Sequence, residues 1–121
     1  MTAFIYDAVR TPFSRYGKGL AAVRPDDIMS ATLQGLFARH EVDPAVVDDV
    51  FLGNANGAGE ENRDVARMAW LLAGFPVSVP GVTVNRLCGS GLDAAIQASR
   101  MIETGDARVA VAGGVESMTR A

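Results

Sequence analysis

The chain has 121 residues, a length at which one domain can bury a usable core, and it reads as a single α/β domain over residues 1–121. Hydrophobic residues make up 49% and charged residues 21%, which excludes a disordered or collagen-like chain. The net charge of -3 leaves no basic footprint for nucleic acid, and no apolar run approaches bilayer length. One cysteine cannot form an internal disulfide, and the start Met1-Thr-Ala-Phe-Ile-Tyr-Asp7 lacks the basic and apolar regions of a signal peptide. A cytoplasmic protein with no membrane and no metal site is expected.

The segment Ala3-Phe-Ile-Tyr-Asp-Ala-Val9 reads as a first strand, ended by Arg10-Thr-Pro-Phe13 because Pro12 removes a ladder donor. Residues 13 to 25 read as a loop. Pro25-Asp26-Asp27 opens a helix with acidic residues where the dipole favours them, and Met29, Leu33, Leu36 and Phe37 form its apolar stripe. His40 follows. It could serve as a general base, but its neighbours Glu41 and Asp43 carry no catalytic pattern, and a solvated histidine at a helix end is the reading adopted.

Asp48 to Gly53 reads as a second strand. The Gly- and Asn-rich stretch Asn54 to Asn62 fits neither a dinucleotide fingerprint nor a phosphate loop, and its adjacent Glu60 and Glu61 read as a solvated loop edge. Asn62 can cap a helix over Arg63 to Ala73, with Val65, Met68, Ala69 and Leu72 facing the core and Trp70 off that stripe. Val82 to Asn85 is a third strand, Leu92 to Glu103 a third helix, and Ala107 to Ala112 an apolar fourth strand read as buried on both faces. The alternation argues for a mostly parallel mixed sheet with helices on both faces.

The only cysteine, Cys88, falls where the third strand hands over to the third helix. Unpaired backbone N–H groups and the helix dipole favour negative charge at such a place, and Gly89 and Gly91 clear side chains from beside the sulfur. A nucleophilic thiol is one reading, and a small buried hydrophobe is the other. The third helix is thin on several sides, through Gly91, Ala94, Ala95, Ala98 and Ser99.

Asn85-Arg-Leu-Cys-Gly-Ser-Gly-Leu-Asp-Ala94 resembles the nucleophile motif of the thiolases. Ala8-Val-Arg-Thr-Pro-Phe13, Leu52-Gly-Asn54, Asn62-Arg-Asp-Val-Ala-Arg67 and Ala112-Gly-Gly-Val-Glu-Ser-Met118 fall in that family's order. The resemblance implies a thiolase-like half-domain with strand order 3-2-1-4, Cys88 as acyl-thioester nucleophile, and its backbone N–H contributing to an oxyanion hole. Acyl-CoA and coenzyme A are then substrates, with no bound cofactor. A homodimer or homotetramer through the strand before Cys88 is expected, with the third helix sandwiched between two half-domains. A thiolase is several times longer, so the chain reads as truncated before its natural end. The activating histidine, a second cysteine and a second oxyanion hole would belong to the rest, and the chain alone is expected to be inactive. Asn54 to Ala69 looks more like the 3-oxoadipyl-CoA thiolases than the acetoacetyl-CoA enzymes. A ketosynthase-like fragment, a cysteine hydrolase and a non-catalytic assembly module are the alternatives; Cys-Gly-Ser-Gly speaks against the first.

Overall fold

The computed structural model describes all 121 residues. Six main elements follow one another: α1 (Pro25–Ala38), β1 (Asp49–Gly53), α2 (Val65–Leu72), β2 (Gly81–Val84), α3 (Ser90–Glu103) and β3 (Ala110–Gly114). The three strands form one parallel sheet in the order β2-β1-β3, with Phe51 opposite both Val82 and Ala112.

Side chains alternate across a strand, so β1 serves two layers. Val50 and Leu52, with Val111 of β3, face a core completed by Met29 and Leu33 of α1 and by Val65, Ala69 and Trp70 of α2. Phe51 faces the other way, against Ala94 and Ala98 of α3. Helices therefore cover both faces of the sheet. Trp70 is fully buried, tilted edge-on to Phe37 and Phe75, and its indole N–H donates to the Pro76 carbonyl at 2.9 Å. That bond satisfies the one polar group the ring takes into the core.

Several expectations need correction. Residues 3–9 form no strand, so the order is not 3-2-1-4: the predicted second and fourth strands pair directly. Both edges of β1 are thereby occupied. The N-terminal segment is anchored through polar groups at its two ends instead. The Met1 ammonium donates to the Glu103 carbonyl at 3.0 Å, and the Asp7 carboxylate takes Arg39 at 2.8 Å and His40 at 2.5 Å. A cleft of 580 Å³, lined in part by Val9, Leu36 and Val115, separates this segment from β3 and α1. His40 is accordingly half-buried and hydrogen-bonded to Asp7, not freely solvated.

α2 is capped by Asp64, whose carboxylate accepts from the Arg67 N–H, and not by Asn62, which has φ 53°. The Thr83 hydroxyl donates to Asp64 at 2.7 Å and accepts from the Ala66 N–H, so β2 helps close the helix start. The buried face of α2 is Val65, Ala66, Ala69, Trp70 and Ala73; Met68 is only half-buried and Leu72 is exposed. The fourth predicted strand starts later, as β3, and lies at a sheet edge, where Val111 is the only β3 residue buried. On α3 the small residues Ala94 and Ala98 meet the sheet, leaving Leu92 71% exposed.

Small residues also set the closest approach in the fold. A Cβ on Gly53 would lie 2.2 Å from the Ser90 carbonyl carbon and 2.4 Å from the Gly91 nitrogen, both backbone atoms that cannot swing aside. Gly53→Ala should therefore cost about 3 kcal/mol, the upper end of the usual overpacking range, read from urea unfolding followed by Trp70 fluorescence. An unchanged midpoint would mean that β1 and α3 are not in this contact.

The N-terminal anchor should depend on acid. Hydrogen bonding from His40, then from the Ala8 N–H and Arg39, lowers the Asp7 carboxyl to about 2. The unfolded value is about 3.9, so the contribution of this anchor is complete above that pH and lost as pH falls through the folded value. Carbon-detected NMR titration of Asp7 should give a midpoint near 2. A midpoint in the ordinary aspartate range would show the segment undocked.

Candidate active site

The C-terminal ends of the three parallel strands lie on one side, and the loops that leave them meet there. This is the edge at which α/β sheets usually place ligands. Gly53 and Gly114 end adjacent strands and press on the first turn of α3: a Cβ on Gly114 would lie 3.2 Å from the Gly91 Cα. The absence of side chains lets the start of α3 sit directly on the sheet end, and the turn leading into it, residues 85–89, is carried out over that edge.

Cys88 lies in this turn, four residues past β2 and two before α3. It is exposed, and its N–H has no acceptor within the chain. The turn is nevertheless tightly bonded around it. The Asn85 side-chain oxygen accepts from the Leu87 N–H at 2.9 Å, an Asx turn that accommodates Leu87 at φ 49°. The Ser90 hydroxyl accepts from the Arg86 N–H at 2.8 Å and donates to the Leu87 carbonyl at 2.6 Å. The Gly89 N–H donates to the Arg86 carbonyl at 3.0 Å. Arg86 extends across the turn to Asp93 at 3.0 Å. A left-handed leucine costs of order 1–3 kcal/mol and persists only where its surroundings over-determine it, as these bonds do.

The flanking loops hold that turn from outside. Glu61 is buried and accepts from the side-chain amides of Asn54 and Asn56, and Asn54 also donates to the Val115 carbonyl at 2.9 Å. Glu116 accepts from the backbone N–H groups of Ala55 and Asn56 at 2.8 and 3.1 Å. Asn85 donates to the Ala55 carbonyl at 3.1 Å. Further out, Arg120 is bidentate on Glu60 at 2.7 and 3.1 Å, and Arg24 reaches both Glu60 and the buried Asp26. The hydrogen bond from Arg120 holds the Glu60 carboxyl below the usual carboxylate range. Glu60 and Glu61 thus do not form the solvated loop edge expected of them: one is buried between amides and the other ties two arginines. Their adjacency in sequence gave no hint of this, because their partners lie as far away as Arg120.

His40 is occupied by Asp7 and stacks obliquely on Tyr6 with ring centroids 5.0 Å apart; no hydrogen bond links it to the Cys88 turn. Sequence reasoning passed over the roles of Asn85, Asn54 and Glu116. Only Asn85 carried a local signal, an asparagine two residues before a backbone position that needs an Asx turn. No helix is long and apolar enough to cross a membrane.

Residues 3–121 match the family model described as Thiolase, N-terminal domain. The beta-ketoadipyl-CoA thiolase of Pseudomonas aeruginosa is 60% identical over 119 residues, covering 98% of this chain and 30% of that protein. The 3-oxoadipyl-CoA/3-oxo-5,6-dehydrosuberyl-CoA thiolase of Escherichia coli K12 is 58% identical over 120 residues, again covering 98% of this chain and 30% of that protein. Among solved structures, the Bacillus anthracis acetyl-CoA acetyltransferase superposes with a TM-score of 0.85 at 40% identity, over 92% of this chain and 28% of that one. The chain thus spans about 30% of the length of the curated relatives it matches.

The exposure of Cys88 has a direct chemical readout. Iodoacetamide should label it in the native chain at a rate within about threefold of the urea-unfolded chain, since an exposed thiol gains little from unfolding. Labelling that requires urea would place Cys88 in the core.

Proposed function

This chain belongs to the thiolase family, and from that membership we propose that Cys88 is the acyl-accepting nucleophile of a thiolase of which these residues form the N-terminal part. The observation that carries the reading is the exposed Cys88 with a free backbone N–H, on a braced turn at the C-terminal edge of a parallel sheet. The sulfur of Cys88 attacks the 3-oxo carbonyl of a 3-oxoacyl-CoA. The carbonyl electron pair moves onto oxygen, where the Cys88 N–H can donate to it. When that oxygen re-forms its double bond, the bond between C2 and C3 breaks. Its electron pair leaves with the acetyl-CoA fragment, which takes up a proton. The shortened acyl group stays on Cys88 as a thioester. A CoA thiol then attacks it, releasing the shortened acyl-CoA and returning the cysteine. Splitting the transfer in this way lowers each barrier.

Two groups must come from outside these residues: a base to take the Cys88 proton and a donor for the departing fragment. The chain has one cysteine, and its one histidine is bound to Asp7. Slow acylation by acyl-CoA at alkaline pH, where hydroxide or buffer takes the Cys88 proton, with no turnover, is the behaviour this predicts for the chain alone. Identities of 58% and 60% to two thiolases named for 3-oxoadipyl-CoA or beta-ketoadipyl-CoA support a 3-oxo dicarboxylic acyl-CoA as the substrate of the whole protein. A homo-oligomer with a cytoplasmic location completes the reading. The unpaired outer edge of β2 and the exposed Leu92 and Ile96 of α3 supply surface for a second copy.

Incubation with acetyl-CoA at alkaline pH, where the thiol needs no base from elsewhere, followed by mass spectrometry should show one acetyl adduct on Cys88, absent in Cys88→Ala. No sustained CoA-dependent cleavage of 3-oxoadipyl-CoA should accompany it. A chain that takes no acyl group would favour the non-catalytic assembly module, and sustained thiolysis would show that the site is complete without further groups.

A further inference from the structure

We propose that Glu116 is a positioning residue for Cys88, acting through a continuous relay of two peptide planes and one side-chain amide. The Glu116 carboxylate accepts from the Asn56 N–H at 3.1 Å. That N–H shares a peptide unit with the Ala55 carbonyl, which accepts from the Asn85 side-chain amide at 3.1 Å. The oxygen of the same amide accepts from the Leu87 N–H at 2.9 Å. That N–H in turn shares a peptide unit with the Arg86 carbonyl, which accepts from the Gly89 N–H at 3.0 Å and so closes the turn across Cys88. A peptide group is planar and rigid, so tilting the Ala55–Asn56 plane breaks the bonds at both of its ends together. Each member donates on one side and accepts on the other, so the carboxylate also polarises the bonds that follow it.

The placement of Glu116 suits this role better than that of Glu61. Glu61 holds side chains of the same loop, whereas Glu116 holds the backbone unit that faces Asn85, with a second bond from the Ala55 N–H at 2.8 Å. It comes from the segment following β3, and Asn85 from the segment following β2, so the relay spans all three strand ends. The consequence is control of the Leu87 conformation at φ 49°, and with it the direction of the Cys88 N–H.

Amide hydrogen exchange by NMR tests the relay at a distance. Glu116→Ala should speed exchange of the Leu87 amide about tenfold, the effect of one lost hydrogen bond, while the core Val50 amide stays protected. Acceleration at Ala55 and Asn56 with Leu87 unchanged would reduce Glu116 to a cap on its own loop and overturn the proposal. Should Glu116→Ala fail to fold, Glu116→Gln keeps the shape with one acceptor oxygen, and the same Leu87 readout decides. The functional side rests on Cys88 being the acyl acceptor. There, the ratio of acetylation by acetyl-CoA to alkylation by iodoacetamide should fall in the variant, since alkylation needs only an accessible thiol. A wild-type chain that is never acylated would refute the acyl-cysteine reading, with the exchange result still deciding the relay. A wild-type chain that is acylated, with an unchanged ratio in the variant, would overturn the relay itself.

Discussion

The fold depends on one backbone-to-backbone contact, that of Gly53 at the end of β1 against Ser90 and Gly91 at the start of α3. β1 is the central strand, so whatever touches its last residue is held at the middle of the sheet edge. Only hydrogen occupies the space where a Cβ would overlap the α3 backbone. Because α3 begins so close to the sheet, the turn before it cannot sink into the core and is pushed out over the edge. The exposure of Cys88 is therefore a packing result, produced by glycines on neighbouring elements.

A cysteine on an exposed turn would ordinarily share the mobility of loops. In this chain the mobility is restrained by polar groups in place of apolar burial. Asn85 and Ser90 satisfy the backbone of the turn from within, and Ala55, itself held by Glu116, anchors Asn85 from outside. Buried Glu61 and Asp26 are each matched by amide or guanidinium donors, and no buried side-chain polar atom is left without a partner. Such satisfied networks specify one geometry where hydrophobic contact alone would tolerate several.

The two faces of α3 differ: one packs on the sheet and the other is exposed. Ala94 and Ala98 give a flat surface that Phe51 fills. The larger Leu92 and Ile96 point away from the sheet. Periodicity reports that a helix has an apolar side, but it does not report which of two apolar sides meets the sheet. The narrow side wins because the sheet end is lined by Gly53, Gly113 and Gly114, and small residues on both partners permit close approach. The buried stripe of α2 departs from periodicity in a related way. Trp70 takes the place expected of Met68 and Leu72, because Phe37 and Phe75 offer its ring edge-on contacts.

By itself the sequence determined the alternation of strands and helices, the three helices to within a few residues, and Cys88 at a strand-to-helix junction. These follow from local causes: side-chain periodicity, proline and glycine punctuation, and a lone thiol between glycines. Tertiary structure alone decided that residues 3–9 do not pair with β1, because strand pairing depends on which edges are already occupied, and β2 and β3 occupy both edges of β1. It alone decided that Asp64 rather than Asn62 caps α2, because the Thr83 hydroxyl arrives from a strand nineteen residues away to share the cap. It also decided the frame around Cys88. Glu116 lies sixty residues or more from the backbone groups it holds, and a hydrogen bond across such a separation leaves no periodic trace in the chain.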